Sequence, residues 1–345
     1  MPDALNIEDA PALLAYLQRT GRIAPGEQPR IAILQGGVSN RTVWVERESG
    51  EAWVLKQALA KLRVPVDWFS SPERIQREAL GLEWLARLAP PGAVTPLLFE
   101  DRERHLLAMQ AVPQPHANWK TVLLGGTICA DHVRQFATLL AAIHREAYLR
   151  RAELADVFAD RTFFESLRLE PYYAYSAQQT PEAAAFLHSL IRETLACRIT
   201  LVHGDYSPKN VLIHQDRLVL LDHEVIHFGD PAFDLGFSLT HFLSKAHHLP
   251  ALRREFASAA LEYWRIYAEA LGAPEWATDL EPRAVRHTLA CLLARVVGRS
   301  PLEYLSPAER VRQRDAVLRI IPSVPATIAD LIYLFEEQLC QQSSV

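Results

Sequence analysis

Apolar residues recur at helical spacing from about Ile7 to Leu17, and Arg22 to Pro29 then reads as a loop. The pattern changes in the next stretch, where Ile31 to Leu34, Thr42 to Glu46 and Ala52 to Gln57 read as strands, with turns at Gly36-Gly37 and Ser49-Gly50. Pro72 opens a helical stretch that runs to Leu88, with Ile75, Ala79, Leu82 and Leu85 on one face. Val94 to Phe99 and His105 to Ala111 add two strands and complete a small sheet-plus-helix lobe. Beyond Pro113 and Pro115 long helical patterns take over: Asp131 to Tyr148, Pro181 to Cys197, Ala251 to Leu271, Pro282 to Val297 and Pro325 to Leu339. A pair of short strands between Asn210 and Asp222 is the clearest interruption. The pattern predicts an α+β chain in two lobes, β-rich over 1–112 and mainly helical over 113–345, with no internal repeat.

Composition narrows the classes without choosing a chemistry. The 345 residues are 49% hydrophobic and 22% charged, ordinary for a soluble globular protein. A formal net charge of -5 speaks against a nucleic-acid partner, which normally meets a basic face. No apolar run approaches the roughly 20 residues that span a bilayer. Asp3, Glu8 and Asp9 replace the basic start of a secretory signal. Cys129, Cys197, Cys291 and Cys340 are scattered and read as reduced thiols. The expectation is a cytoplasmic protein with neither nucleic acid nor membrane as partner.

The chemistry concentrates in His203-Gly204-Asp205-Tyr206-Ser207-Pro208-Lys209-Asn210, followed by Asp222. An Asp and an Asn five apart, then a second Asp across a short hairpin, is how kinases gather a base and two metal ligands around ATP. With Gln215-Asp216 as the turn, His214 faces Arg217 and Asn210 falls beside Leu221, which brings Asp222 within one residue of Asn210. Strict alternation would put their side chains on opposite faces, so the ladder has to end or bend there for both to reach one ion. Hard oxygen ligands suit magnesium. On these residues alone, metal ligands and simple strand ends are equally good readings of Asn210 and Asp222. Asp205 is the candidate for orienting a substrate hydroxyl and accepting its proton, His203 for bracing the loop, and Asp234 for accepting backbone N–H bonds from it. Gly36, Gly37, Ser39 and Asn40 lie between two strands, where small residues let backbone N–H groups approach phosphates. Lys56 ends the next strand but one, as the ATP-phosphate lysine of kinases does, and Glu78 on the following helix is placed to pair with it.

These residues, with Gly229-Asp230-Pro231-Ala232-Phe233-Asp234-Leu235-Gly236, make the chain resemble the aminoglycoside phosphotransferase / choline kinase family, over most of its length. The segments Lys56-Gln57-Ala58 and Ala294 to Arg299 resemble methylthioribose kinases more weakly. The resemblance implies a bilobal protein-kinase-like fold, ATP and magnesium, and a small-molecule hydroxyl as acceptor. Gly204 stands where protein kinases carry Arg before the catalytic Asp, and Ser207 where they place a phosphate-contacting Lys. Asp222-His223-Glu224 replaces Asp-Phe-Gly, leaving Glu224 either an extra metal ligand or a structural acceptor. Two segments point to different acceptors. Glu153 to Glu182, acidic and aromatic, would suit a cationic amine. Arg283 to Arg319, with Arg295 and Arg299 on one helix face, would suit an anionic or sugar-like one. The alternatives are a nucleotide-binding pseudoenzyme, against which Asp205, Asn210 and Asp222 argue, and a metal-dependent hydrolase using His223, His227, His241, His247 and His248, which lack HExxH-type spacing.

Overall fold

In the first lobe, alternation along each strand decides which residues face the core and which face the cleft. The computed structural model describes residues 5–34, 37–63 and 67–341. Five antiparallel strands, β1 (Arg30–Ile33), β2 (Asn40–Glu46), β3 (Ala52–Ala58), β4 (Leu97–Asp101) and β5 (Leu106–Gln110), pair in the order β1-β2-β3-β5-β4. Trp53 and Leu55 of β3 pack with Val43 and Val45 against the first helix, α1 (Ala10–Arg19). Val54 and Ala58 point the other way, onto Ile75, Ala79 and Leu82 of α2 (Arg74–Leu88). Lys56 lies on that second face, so a period of two delivers its ammonium to the side of the sheet where α2 carries Glu78. The predicted strands and helices of this lobe all form, with ends shifted by a few residues.

The second lobe is built around the helix Ala232–His248, in which every residue from Ala232 to His247 is buried. It lies among the helices Ala130–Leu149, Arg253–Leu271 and Leu280–Val297, all sharing one large apolar core. That burial takes in the polar residues Asp234, Ser238, His241 and Lys245 as well as the apolar ones, so apolar spacing alone did not reveal this helix. Gly236 permits the closest approach: a Cβ there would lie 2.4 Å from the Cβ of His287 on the Leu280–Val297 helix. The backbone from Glu165 to Ala174 is wound more loosely, as π-helix, with Pro171 inside it. Two small sheets carry the loops of interest. Thr200–Val202 pairs with His227–Gly229, and Val211–His214 pairs with Arg217–Leu220 and with Ala117–Asn118. This is the bilobal α+β architecture the sequence predicts. No helix among the described residues is long and apolar enough to cross a membrane.

Candidate active site

The Thr200–Val202 strand ends in a loop whose shape one buried carboxylate fixes. Asp234 accepts the backbone N–H groups of His203 and Gly204 at 2.7 and 2.8 Å, and a third bond from His144 Nε2 at 3.3 Å. Burial would raise the Asp234 pKa, but the hydrogen bond and charge of His144, with the His203 ring and backbone N–H, together outweigh it and hold the carboxylate below its usual range. Gly204 sits at φ +77°, and a Cβ there would meet Val225 at 2.9 Å, so this position needs glycine. His203 Nδ1 accepts the Asp205 N–H at 3.2 Å, which leaves its Nε2–H to donate to His223 Nδ1 at 3.1 Å. Burial lowers the pKa of both rings, so each stays neutral and directional. His203 therefore braces the loop.

Asp205 itself meets Arg168, whose Nη2 lies 2.8 Å from Asp205 Oδ2. The same guanidinium donates to Gly204 O at 2.9 Å and to Leu167 O at 2.7 Å. Burial works against the charge on Arg168, and Asp205, Tyr172, Glu224 and Asp222 together outweigh it. Arg168 thus supplies, from the π-helical segment, a cation at the loop where Gly204 stands in place of the protein-kinase arginine. Spacing gave no sign of it, because the contact joins residues 37 positions apart across an irregular turn of helix.

Across the cleft, Lys56 Nζ reaches Glu78 Oε1 at 2.6 Å and Asp222 Oδ1 at 2.8 Å. Burial alone would lower the Lys56 pKa, but Asp222 and Glu78 outweigh it and keep the ammonium charged. Asp222 is likewise held below the usual carboxylate range, with Lys56 and Lys209 overcoming its burial, whereas burial pushes Glu78 up to about 7. Lys209 lies on the cleft wall and provides a cation two residues after Ser207. The hairpin register is the predicted one: His214 faces Arg217, and Leu221 N–H donates to Asn210 O at 2.9 Å. The predicted break in alternation is a backbone one, since Asp222 adopts φ +67° and so re-aims its side chain. Asn210 Nδ2 donates to Asp205 O at 3.0 Å, leaving its Oδ1 as the atom a cation could use.

Oxygen atoms of Glu78, Asp222 and Glu224 lie within 4.8 Å of one another. Glu78 Oε2 is buried and lacks a hydrogen-bond partner. Lys56 and Arg74 pair with this group, and Lys209 and Arg168 act on Asp222 from the cleft wall. A hard divalent cation fits that donor set. Glu224 already has structural work: its Oε2 accepts from Arg74 Nε at 3.1 Å and from Asn40 Nδ2 at 3.3 Å. The wholly buried Arg74 also donates to Ser39 O, to Leu59 O at 2.9 Å, and to Ser70 O and Ser71 O. It thereby ties the Gly37–Asn40 turn to α2 and to Glu224, a connection no sequence motif announced. Gly37, Ser39 and Asn40 line the cleft, while Gly36 lies outside the described residues.

One cavity of about 890 Å³ joins the Gly37–Asn40 turn, Lys56, Asp205, Asn210 and Asp222. Its far end separates the two acceptor expectations. Of the segment Glu153 to Glu182, only Leu167, Arg168 and Tyr172 reach the cavity; Asp156, Asp160, Glu165 and Glu170 are exposed elsewhere. The expected carboxylate cage for an amine is therefore corrected: the loose helix turns its arginine and tyrosine inward and its acids outward. Arg295 lines the cavity as well. Arg299 does not share its helix face, because the helix ends at Val297 and Arg299 pairs with Glu170 at 3.0 Å. The histidines considered for a hydrolase are dispersed: His247 Nε2 bonds Glu309 O, His248 bonds Glu309 Oε1, and His227 Nδ1 bonds Val225 O.

A bilobal fold with an Asp-bearing loop, a Lys–Glu pair and a carboxylate cluster around one cleft is the architecture of the kinase-like phosphotransferases. The chain belongs to the phosphotransferase enzyme family, which matches residues 30–270. It is 23% identical over 263 residues to methylthioribose kinase 2 of Oryza sativa subsp. japonica, covering 66% of this chain and 60% of that protein. The chain thus spans about 60% of the length of the curated relatives it matches. In fold it is similar to the amicoumacin kinase hAmiN, solved with AMP-PNP, Ca2+ and Ami (TM-score 0.59, 13% identity, 93% of this chain and 96% of that one). It is also similar to choline kinase LicA from Streptococcus pneumoniae (TM-score 0.50, 13% identity, 96% and 99%).

Proposed function

We propose that the protein transfers the γ-phosphate of ATP to a hydroxyl group of a small molecule, with magnesium as its metal. The observation that carries this reading is the meeting of Asp205, Lys56 and Asp222 in a single cavity. Residues 1–112 form the nucleotide lobe in this reading and 113–345 the catalytic and acceptor lobe. Lys56 has three N–H donors and spends two on Glu78 and Asp222, so the third is left for a phosphate oxygen. The Gly37–Asn40 turn would meet the phosphates with backbone N–H groups. Asp222 and Asn210 would hold magnesium, with Glu78 and Glu224 beside them. When bound, the metal neutralises charge on the β- and γ-phosphates. Asp205 Oδ2 is held by Arg168, so Oδ1 faces the acceptor hydroxyl. As the hydroxyl oxygen bonds to the γ-phosphorus, the bond to the β–γ bridging oxygen breaks. The hydroxyl proton passes to Asp205, and ADP departs.

The test is ADP release from ATP and magnesium across sugars, amino alcohols, aminoglycosides and hydroxy acids, run on wild type and two variants. Asp205→Asn keeps the shape but loses the base, so turnover falls by roughly 10²–10⁴-fold while ATP–magnesium affinity survives. Asp222→Ala removes a metal ligand, and both fall. Near-normal turnover by folded Asp205→Asn would overturn the assignment.

A further inference from the structure

The far end of the cavity carries more positive charge than its own side chains balance. Lys120, His241 and Arg295 line it. Lys245, one helical turn beyond His241, is wholly buried and donates to His241 O at 3.2 Å. The ammonium groups of Lys120 and Lys245 lie 6.0 and 5.6 Å from the centre of the Tyr304 ring. Glu303 is the carboxylate of this group, and Lys120 already pairs with it. Arg295 Nη1 donates only to neutral atoms: Tyr172 OH at 3.0 Å, and Ser300 O and Oγ at 2.5 and 3.1 Å. Among the described residues, neither Lys245 nor Arg295 forms an ion pair. His241 Nε2, Arg295 Nε and Tyr304 OH are buried without a hydrogen-bond partner.

Two of these atoms, His241 Nε2 and Arg295 Nε, belong to residues that line the cavity, where a bound group would meet them. Two cations without a counter-charge in a partly dehydrated site are costly until an anion joins them. Burial, with Lys120 and Arg295 nearby, lowers the Lys245 pKa to about 7, which measures how poorly the site tolerates its own charge. The geometry links this end to the reacting one. Tyr172 has the Arg295 guanidinium 5.6 Å and the Arg168 guanidinium 5.7 Å from its ring centre, and Arg168 holds Asp205. Arg295 and Arg168 thus both reach the Tyr172 ring, and Asp205 lies against Arg168 in the same cavity.

Resting on the phosphotransfer reading above, we propose that the phosphate acceptor is a hydroxy compound bearing a carboxylate or a phosphate ester, held through that anion by Arg295, Lys120 and His241. The experiment is a titration followed by melting temperature and calorimetry at constant ionic strength. Glycerate, gluconate, glycerol 3-phosphate and ribose 5-phosphate are compared with glycerol, ribose and ethanolamine, on the protein alone and saturated with AMP-PNP and magnesium. Saturation blocks the nucleotide-phosphate positions, so any remaining anion effect belongs to the far end. At least one carboxylate or phosphate compound raises the melting temperature and binds ten-fold or more tighter than its uncharged counterpart; which series does so identifies the anion. Arg295→Met and Lys120→Met each weaken that binding at least ten-fold and leave AMP-PNP affinity unchanged. Lys120 lies at the cavity rim, so its variant keeps the test open if Arg295→Met misfolds. Anion binding that is absent, survives both substitutions, or is exceeded by ethanolamine overturns the proposal. Failure of AMP-PNP to bind would instead sink the phosphotransfer reading, and the titration of the protein alone separates the two.

Discussion

Arg168 and Asp205 form an ion pair in which each guanidinium nitrogen has a partner but only one carboxylate oxygen is held. That asymmetry makes Arg168 a positioning residue: it fixes which Asp205 oxygen faces the cleft. Arg168→Met is expected to lower kcat about 10- to 100-fold, because displacement of a reacting group by an ångström has that effect. KM for ATP is expected to stay unchanged, and Arg168→Lys to restore part of the rate. Steady-state kinetics on whichever acceptor releases ADP would check this, and a raised KM for ATP with unchanged kcat would refute it. At this scale the sequence was legible where spacing is short. Asp205 to Asn210 spans one loop, and the hairpin count set Asp222 beside it. Arg74 and Arg168 were illegible because each acts through contacts that only the folded chain creates, Arg74 on residues as distant as Ser39 and Glu224.

Among the elements, the buried helix Ala232–His248 joins chemistry to packing. Its first turn presents Asp234 to the catalytic loop, and Gly236 on the same turn lets the Leu280–Val297 helix come close. The motif that ends in Asp234-Leu235-Gly236 therefore holds a carboxylate and a packing requirement together. Gly236→Ala would drive a methyl group against His287 Cβ and the backbone of His287 and Thr288, at 2.4 to 2.7 Å. Overpacking of this kind costs about 1–3 kcal/mol, expected as a lower melting temperature and a loosened Asp205 loop. Thermal unfolding checks it, and an unshifted transition would mean that the helices part without penalty. The helices read from the sequence were those with one apolar face. The Ala232–His248 helix is buried all round, polar residues included, and the π-helical stretch from Glu165 to Ala174 has no regular period, so neither shows one apolar face against one solvated face.

For the molecule as a whole, the two lobes were legible because most strand patterns fall before Pro113 and most long helical ones after it. The balance of charge inside the cleft was not, since it depends on which side chains turn inward. Carboxylates gather at Glu78, Asp222 and Glu224, while Lys245 and Arg295 at the far end have no ion-pair partner among the described residues, and net charge merges the two. The far end has a measurable effect on stability. Lys245 faces Lys120, Arg295, His241 and Tyr304, with Glu303 the acidic group nearby, and its pKa falls to about 7 from the 10.5 of a free lysine. Between those values the unfolded chain holds a proton that the folded chain releases, so this residue makes stability rise with pH across that window. Below about 7 the buried ammonium is charged and its full cost is present. Lys245→Met keeps the volume and removes the charge. Its melting temperature is expected to exceed that of wild type at pH 7 by about 2–4 °C for each kcal/mol recovered. The excess should shrink as pH rises from about 7 towards 10.5, because the folded lysine sheds its charge over that range while the unfolded one keeps it. Paired thermal scans at pH 6.5, 8 and 9.5 read the gap directly. A gap that does not change with pH would show that Lys245 carries no buried charge, and a variant less stable at pH 7 would show that its bond to His241 O matters more. Saturation with an anion that binds at Arg295 should narrow the gap from the wild-type side, because the ammonium then has a counter-charge that the methionine cannot use.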